Sequence, residues 1–123
     1  MSIWRIGSIQ DEPETELTSW KVFLVKSTLI NQGEDTIHFC GTTNDGNGRV
    51  CSPVQEFDPS TMRGVTRSGR IYELVGPSSR ILSSNASYVL SEWIILNLGE
   101  TDTFEDITDT YLSNYMTNNK GNT

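Results

Sequence analysis

Apolar and polar residues alternate over the first two thirds of the chain. Ile3, Arg5, Gly7 and Ile9 share one side and Trp4, Ile6 and Ser8 the other, the period-two signature of a short strand. An acidic loop follows, Asp11-Glu12-Pro13-Glu14-Thr15-Glu16, broken by its proline. From Trp20 to Ile30 both faces are apolar, with Trp20, Val22 and Leu24 opposite Phe23 and Val25, which predicts a central strand ending at Asn31-Gln32-Gly33. Residues 36–42 and 49–57 then flank Asp45-Gly46, a dipeptide that accepts the positive φ angles of a tight hairpin turn. Asp58-Pro59-Ser60-Thr61 carries Asp and Pro at the first two positions of a type I turn. A last hairpin joins 62–66 to 71–75 through Arg67-Ser68-Gly69-Arg70.

The period changes after Gly76-Pro77. Ser83-Ser84-Asn85 offers N-cap side chains, and Ala86, Val89, Trp93 and Leu96 recur at helical spacing until Gly99, predicting a helix over 84–97 that covers an open sheet face. Thr103-Phe104-Glu105-Asp106 resembles another cap, and Phe104, Ile107, Tyr111, Leu112 and Tyr115 keep a helix period, although Ile107-Thr108 equally suits the start of a short strand. The expected fold class is α+β: an antiparallel β-meander, as a small barrel or strongly curved sheet, covered by one or two C-terminal helices. One globular domain over 1–116 and a disordered polar tail over 117–123 complete the expectation. Trp20, Phe23, Phe39, Phe57, Tyr72, Val89 and Trp93 should meet in a single core, with Trp93 fully buried.

Composition narrows the class. At 35% hydrophobic with three Trp, four Tyr and four Phe, the chain is too apolar for disorder. Its longest apolar run, Trp93-Ile94-Ile95-Leu96, is far short of a membrane span, and the first residues lack a basic segment followed by an apolar one, so a cytoplasmic protein with no membrane attachment is expected. A net charge of -7 argues against direct binding of duplex nucleic acid. That charge is divided: residues 48–80 hold five arginines and three acids, net +2, and the rest of the chain is net -9.

Candidate chemistry is sparse. His38 is the only histidine, and with Cys40 as its one near companion it makes neither a zinc site nor an oriented nucleophile and base. If Asp45-Gly46 centres the turn, Cys40 falls directly opposite Cys51; the expectation is two reduced, mostly buried cysteines, and Pro53 forces a bulge or strand end in that register. No metal, cofactor or catalytic residue is assigned, and an enzyme is the weakest of three functional readings.

One block resembles a recurring pattern in small bacterial and phage-borne proteins of uncharacterised function: Phe57-Asp58-Pro59 leading into Thr66-Arg67-Ser68-Gly69-Arg70-Ile71-Tyr72-Glu73-Leu74-Val75-Gly76-Pro77. Trp20-Lys21-Val22-Phe23-Leu24-Val25, Thr36-Ile37-His38-Phe39 and Tyr88-Val89 with Trp93 are similar to other positions of that family, so the resemblance spans about residues 20–95. Cys40, Cys51 and Pro77-Ser78-Ser79 depart from it. The resemblance implies a shared fold and leaves function open.

Like charges facing each other across a hairpin repel unless something neutralises them. Arg67 and Arg70 are neutralised either by Glu73, Glu56 or Asp58 within the chain or by an external ligand. The favoured functional reading is a non-enzymatic binding or regulatory module whose partner, another protein or an anion, is engaged through Arg63, Arg67, Ser68, Gly69 and Arg70. The alternative is a mobile-element-encoded, anti-CRISPR-like inhibitor acting through an acidic face of Asp102, Glu105, Asp106 and Asp109, with carboxylates standing where phosphates would sit.

Overall fold

A thirteen-residue strand, β1 (Glu14–Lys26), runs through the middle of the computed structural model, which describes residues 14–113. Its halves have different neighbours. Residues 14–17 pair in parallel with β6 (Ile71–Leu74), Glu14 opposite Ile71 and Leu17 opposite Leu74. Beyond Thr18, β2 (Asp35–Thr42) lies antiparallel along one edge, and β7 (Thr103–Asp106) pairs with residues 23–26 on the other. Between Thr18 and Lys21 the register slips by one residue, and Ser19 adopts a left-handed φ of 47°. This bulge bends β1.

The complete order is β3-β2-β1-β6-β5-β4, with β3 (Gly48–Val50), β4 (Val54–Asp58) and β5 (Arg63–Thr66). The fold is α+β with a mostly antiparallel seven-stranded sheet, but it is neither a single meander nor a closed barrel. Cys51 N–H donating to Phe39 O is the last rung beside β3, because Ser52 and Pro53 turn the chain away and Pro53 has no N–H to extend the ladder. The chain therefore begins a second antiparallel run, β4-β5-β6, which returns to the projecting first half of β1.

Three local expectations are corrected. Residues 14–16 belong to a strand, since Leu17 and Trp20 are buried and draw the preceding residues into pairing with β6. The strand from Trp20 stops at Lys26, because Ser27 Oγ accepts Leu29 N–H and starts the single helical turn α1 (Thr28–Asn31). Residues 103–106 form β7 instead of a helix: the edge of β1 offers backbone partners there, and Phe104 stacks on Phe23 with ring centroids 4.7 Å apart. Residues 108–113 are helical (α3). The expected strand over 3–9 and the tail over 117–123 lie outside the described residues.

The helix over 84–97, α2, is capped as expected, Ser83 Oγ accepting Ala86 N–H, but it buries a different arc. Ala86, Leu90 and Trp93 face the sheet, with Trp93 only half-buried and Leu96 exposed. Nor is there one core. Leu17, Trp20, Val22, Phe39, Cys51, Tyr72, Leu74 and Tyr111 form one cluster, joined by Phe57; Phe23, Val25, Cys40 and Ala86 form another beneath α2. β1 and β2 separate them, because successive side chains of a strand point to opposite faces.

Two glycines allow the close approaches. A Cβ on Gly48 would lie 2.5 Å from Asn85 O and 2.6 Å from Ala86 Cα, so only glycine lets α2 start against β3. A Cβ on Gly64 would lie 2.8 Å from the ring of Phe39, which reaches β5 across the first core. Gly48→Ala should lower stability by about 1–3 kcal/mol, because backbone must move to admit the methyl group. Thermal melting should fall by several degrees; an unchanged transition would show that α2 is not seated on β3.

Candidate functional site

The arginine loop closes as a tight turn. Thr66 N–H donates to Arg70 O at 3.0 Å and Gly69 N–H to Thr66 O at 2.8 Å, with Gly69 at φ 89°. Arg67 lies along the surface toward α1: Nη1 donates to Ile30 O (3.1 Å), Nη2 to Asn31 Oδ1 (3.2 Å), and its backbone N–H to Pro53 O (2.7 Å). Ser68 Oγ lies 3.0 Å from Ser52 Oγ and 2.9 Å from Thr66 Oγ1. Arg63 Nε donates to Glu73 Oε1 at 3.0 Å, directly across the β5-β6 ladder. Arg70, half-buried at the end of the turn, also interacts within the chain. Arg67, Ser68, Gly69 and Arg70 thus sit together, and Arg63 sits down the strand with a carboxylate partner.

Of the four acids of the alternative reading, Asp106 and Asp109 line one depression beside Lys21, while Asp102 and Glu105 lie apart from them. Asp102 bridges α1 and the end of α2, accepting Thr28 N–H (3.3 Å) and Gly99 N–H (2.7 Å). Asp106 accepts from Lys21 Nζ (2.9 Å) and Thr108 N–H (3.0 Å). Burial raises the Asp106 pKa, but the bonds from Thr108 and Lys21 outweigh it and hold the carboxyl below its ordinary value. Glu105, next to Asp106 in β7, falls on the opposite sheet face, and Asp109 is exposed on α3.

His38 is held tightly inside. A carbonyl can only accept, so Nδ1 carries the proton and donates to Cys51 O (2.9 Å), leaving Nε2 to accept from Thr36 Oγ1 (2.8 Å). Trp93 covers the ring at a centroid distance of 4.8 Å. Burial lowers the His38 pKa and the nearby Arg67 charge adds to this, against the opposing bond to Cys51. Cys40 and Cys51 are both free and buried, but not opposite one another: the turn occupies residues 43–47, Cys40 pairs with Val50, and the cysteines fall on opposite sides of β2. Burial pushes each thiol up to about 12. A protonated thiol and an imidazole with both nitrogens bonded are poor nucleophile and base. Among the described residues, no three of His, Cys, Asp and Glu converge on a metal position.

Two surface features escaped the sequence reading. On α2, Tyr88, Ile95 and Leu96 are 68%, 72% and 73% exposed, and Leu29 of α1 is 67% exposed. Ser27 ties these helices together, its Oγ donating to Asn97 O and accepting from Leu29 N–H. Their signal in the sequence was Trp93-Ile94-Ile95-Leu96, which is apolar all round a helix and cannot bury every face on one sheet. The second is a cleft beside Lys21, formed where β6 and β7 leave a gap along β1; nothing local in the sequence marks it.

The His38 geometry fixes a pH dependence. With its pKa below the ordinary 6.5 in the folded state, the unfolded chain takes up the proton first. Stability is therefore complete above pH 6.5, declines as pH falls toward the folded-state pKa by at most about 1.4 kcal/mol per pH unit, and levels off below it. The depressed carboxyls of Asp45, Asp58 and Asp106 act only at lower pH. Melting temperatures between pH 8 and pH 5 should show this decline, and His38→Gln should flatten it.

No family model, curated protein or solved structure matches this chain, so the block resemblance adds nothing to the site, and its function must be sought in its own residues.

Proposed function

We propose that this chain is a small binding module that docks a protein partner on the outward face of α2 and the adjoining turn α1. The observation that carries the reading is the grouping of Leu29, Tyr88, Ile95 and Leu96, four large apolar side chains more than two-thirds exposed on two helices joined through Ser27. Tyr88, Glu92 and Ile95 lie at i, i+4 and i+7, with Leu96 beside them, so they form one stripe on the side of α2 away from Ala86, Leu90 and Trp93.

The stripe also specifies its occupant. Glu92, exposed between Tyr88 and Ile95, leaves a carboxylate in the middle of an apolar surface. Two copies of α2 packed antiparallel about that point would bring Glu92 against Glu92, which disfavours a dimer through this face. A partner segment with apolar side chains flanking a lysine or arginine is complementary to it. Arg67 adjoins the same surface through its bonds to Ile30 and Asn31. Engagement of a ligand by Arg67 itself would require those two bonds to be exchanged, which makes the loop a rim rather than the centre.

Ile95→Asp replaces an exposed side chain and should change stability by no more than about 0.5 kcal/mol. In affinity recovery from a native lysate, Ile95→Asp and Glu92→Lys should each lose the partner that the unaltered protein retains, whereas the Arg67→Gln, Arg70→Gln pair should retain it. The reverse pattern would move the docking surface to the arginine loop.

A further inference from the structure

Among the described residues β1 is the one strand with two neighbours on a single edge, and they do not meet. β6 covers residues 14–17 and β7 covers 23–26; between them the strand is met by single bonds rather than a ladder, Ser79 N–H donating to Trp20 O (3.0 Å), Ile107 N–H to Val22 O (2.9 Å) and Val22 N–H to Thr108 Oγ1 (3.0 Å). Two open depressions flank the gap. One, of about 330 Å³, is lined by Lys21, Asp106, Ile107, Thr108, Asp109 and Thr110. The other, of about 250 Å³, is lined by Lys21, Ser78, Ser79, Arg80 and Asp109. Lys21 and Asp109 line both and so stand between the two.

We propose that this cleft is a binding site for a free α-amino acid, separate from the helix face. Lys21 is anchored: its side chain is 14% exposed and its ammonium donates to Asp106, which leaves two of three donors for a ligand. Arg80 and the Ser78 hydroxyl add donors on one side, and the Asp109 carboxylate, which lines both depressions, provides an acceptor. The lining holds two cations and two carboxylates. A phosphate would meet Asp109, and a polyamine would meet Lys21 and Arg80. A ligand bearing a carboxylate and an ammonium on one carbon places each charge against its opposite. Both depressions are at or below the bottom of the usual range for ligand pockets, about 300–1,000 Å³, which suits a small molecule, and Ile107 is the one large apolar wall, which suits a short aliphatic side chain.

The test is a backbone-amide NMR titration of the full chain with L-alanine and L-valine, and in parallel with sodium acetate and ethylammonium chloride at matched ionic strength. Saturable shifts confined to residues around Lys21, Ser79, Ile107 and Asp109 are expected with the amino acids alone. Arg80→Gln and Asp109→Asn alter exposed side chains, so melting should be unchanged, and each should weaken binding about tenfold. Asp109→Asn should also abolish the preference for an amino acid over acetate. Equal shifts with acetate, or no saturable shift with either amino acid into the tens of millimolar, would overturn the assignment. Neither outcome bears on docking at α2.

Discussion

The bulge at Ser19 and Trp20 is the constraint on which the other elements depend. A left-handed backbone at a non-glycine residue costs about 1–3 kcal/mol and persists only where its surroundings hold it. Here they do. Trp20 is buried, its indole N–H donates to Gly76 O at 3.0 Å, and its carbonyl accepts from Ser79 N–H. On the β2 side, a Cβ at Gly41 would lie 2.9 Å from Thr18 O, so the bulged strand fits only against a residue without a side chain. The bend directs the first half of β1 to β6 and the second to β2 and β7. It thereby leaves the gap beside Lys21 between β6 and β7.

Where local chemistry decides conformation, the sequence was readable. Asp58 accepts Ser60 N–H at 2.9 Å in the turn that Asp58-Pro59 announces; Gly69 takes the positive φ between β5 and β6; Ser83 caps α2. Non-local choices were not readable. Parallel pairing of residues 14–17 with β6 joins segments more than fifty positions apart, and four residues around Phe104 carry too little period to separate strand from helix. The Asp45-Gly46 turn was recognisable, but its loop is longer than two residues, and a single-residue slip moves Cys51 to the opposite face from Cys40. In α2 the sheet selects Ala86, Leu90 and Trp93 from a helix that is apolar on most sides.

The interior uses its polar groups for cohesion. His38 bonds Cys51 and Thr36, Thr108 Oγ1 accepts Val22 N–H at 3.0 Å, and Arg49 reaches the Tyr72 hydroxyl at 3.3 Å, linking β3 to β6. Among the described residues no buried side-chain nitrogen or oxygen lacks a partner. Leaving such a group unpaired costs about 1–3 kcal/mol, so each bond is one that a reacting substrate would have to displace at comparable cost. Arg67 shows the same logic at the surface, where it braces α1 against the β5-β6 loop.

Folding alone does not account for the outer face of α2. Ala86, Leu90 and Trp93 seat the helix, Ser83 caps its start, and Asn97 O receives the Ser27 hydroxyl at its end. Tyr88, Ile95 and Leu96 add nothing to that attachment, and polar residues there would keep the helix while lowering its tendency to associate. Single exposed apolar side chains are ordinary on protein surfaces, but three on one side of a helix whose end is tied to the turn carrying a fourth are more than scatter. Glu92 limits what may cover it. A carboxylate inside an apolar contact is tolerated only when a cation meets it, so a surface laid over this stripe, a second copy of α2 included, would bury Glu92 at a cost unless it brought a positive charge.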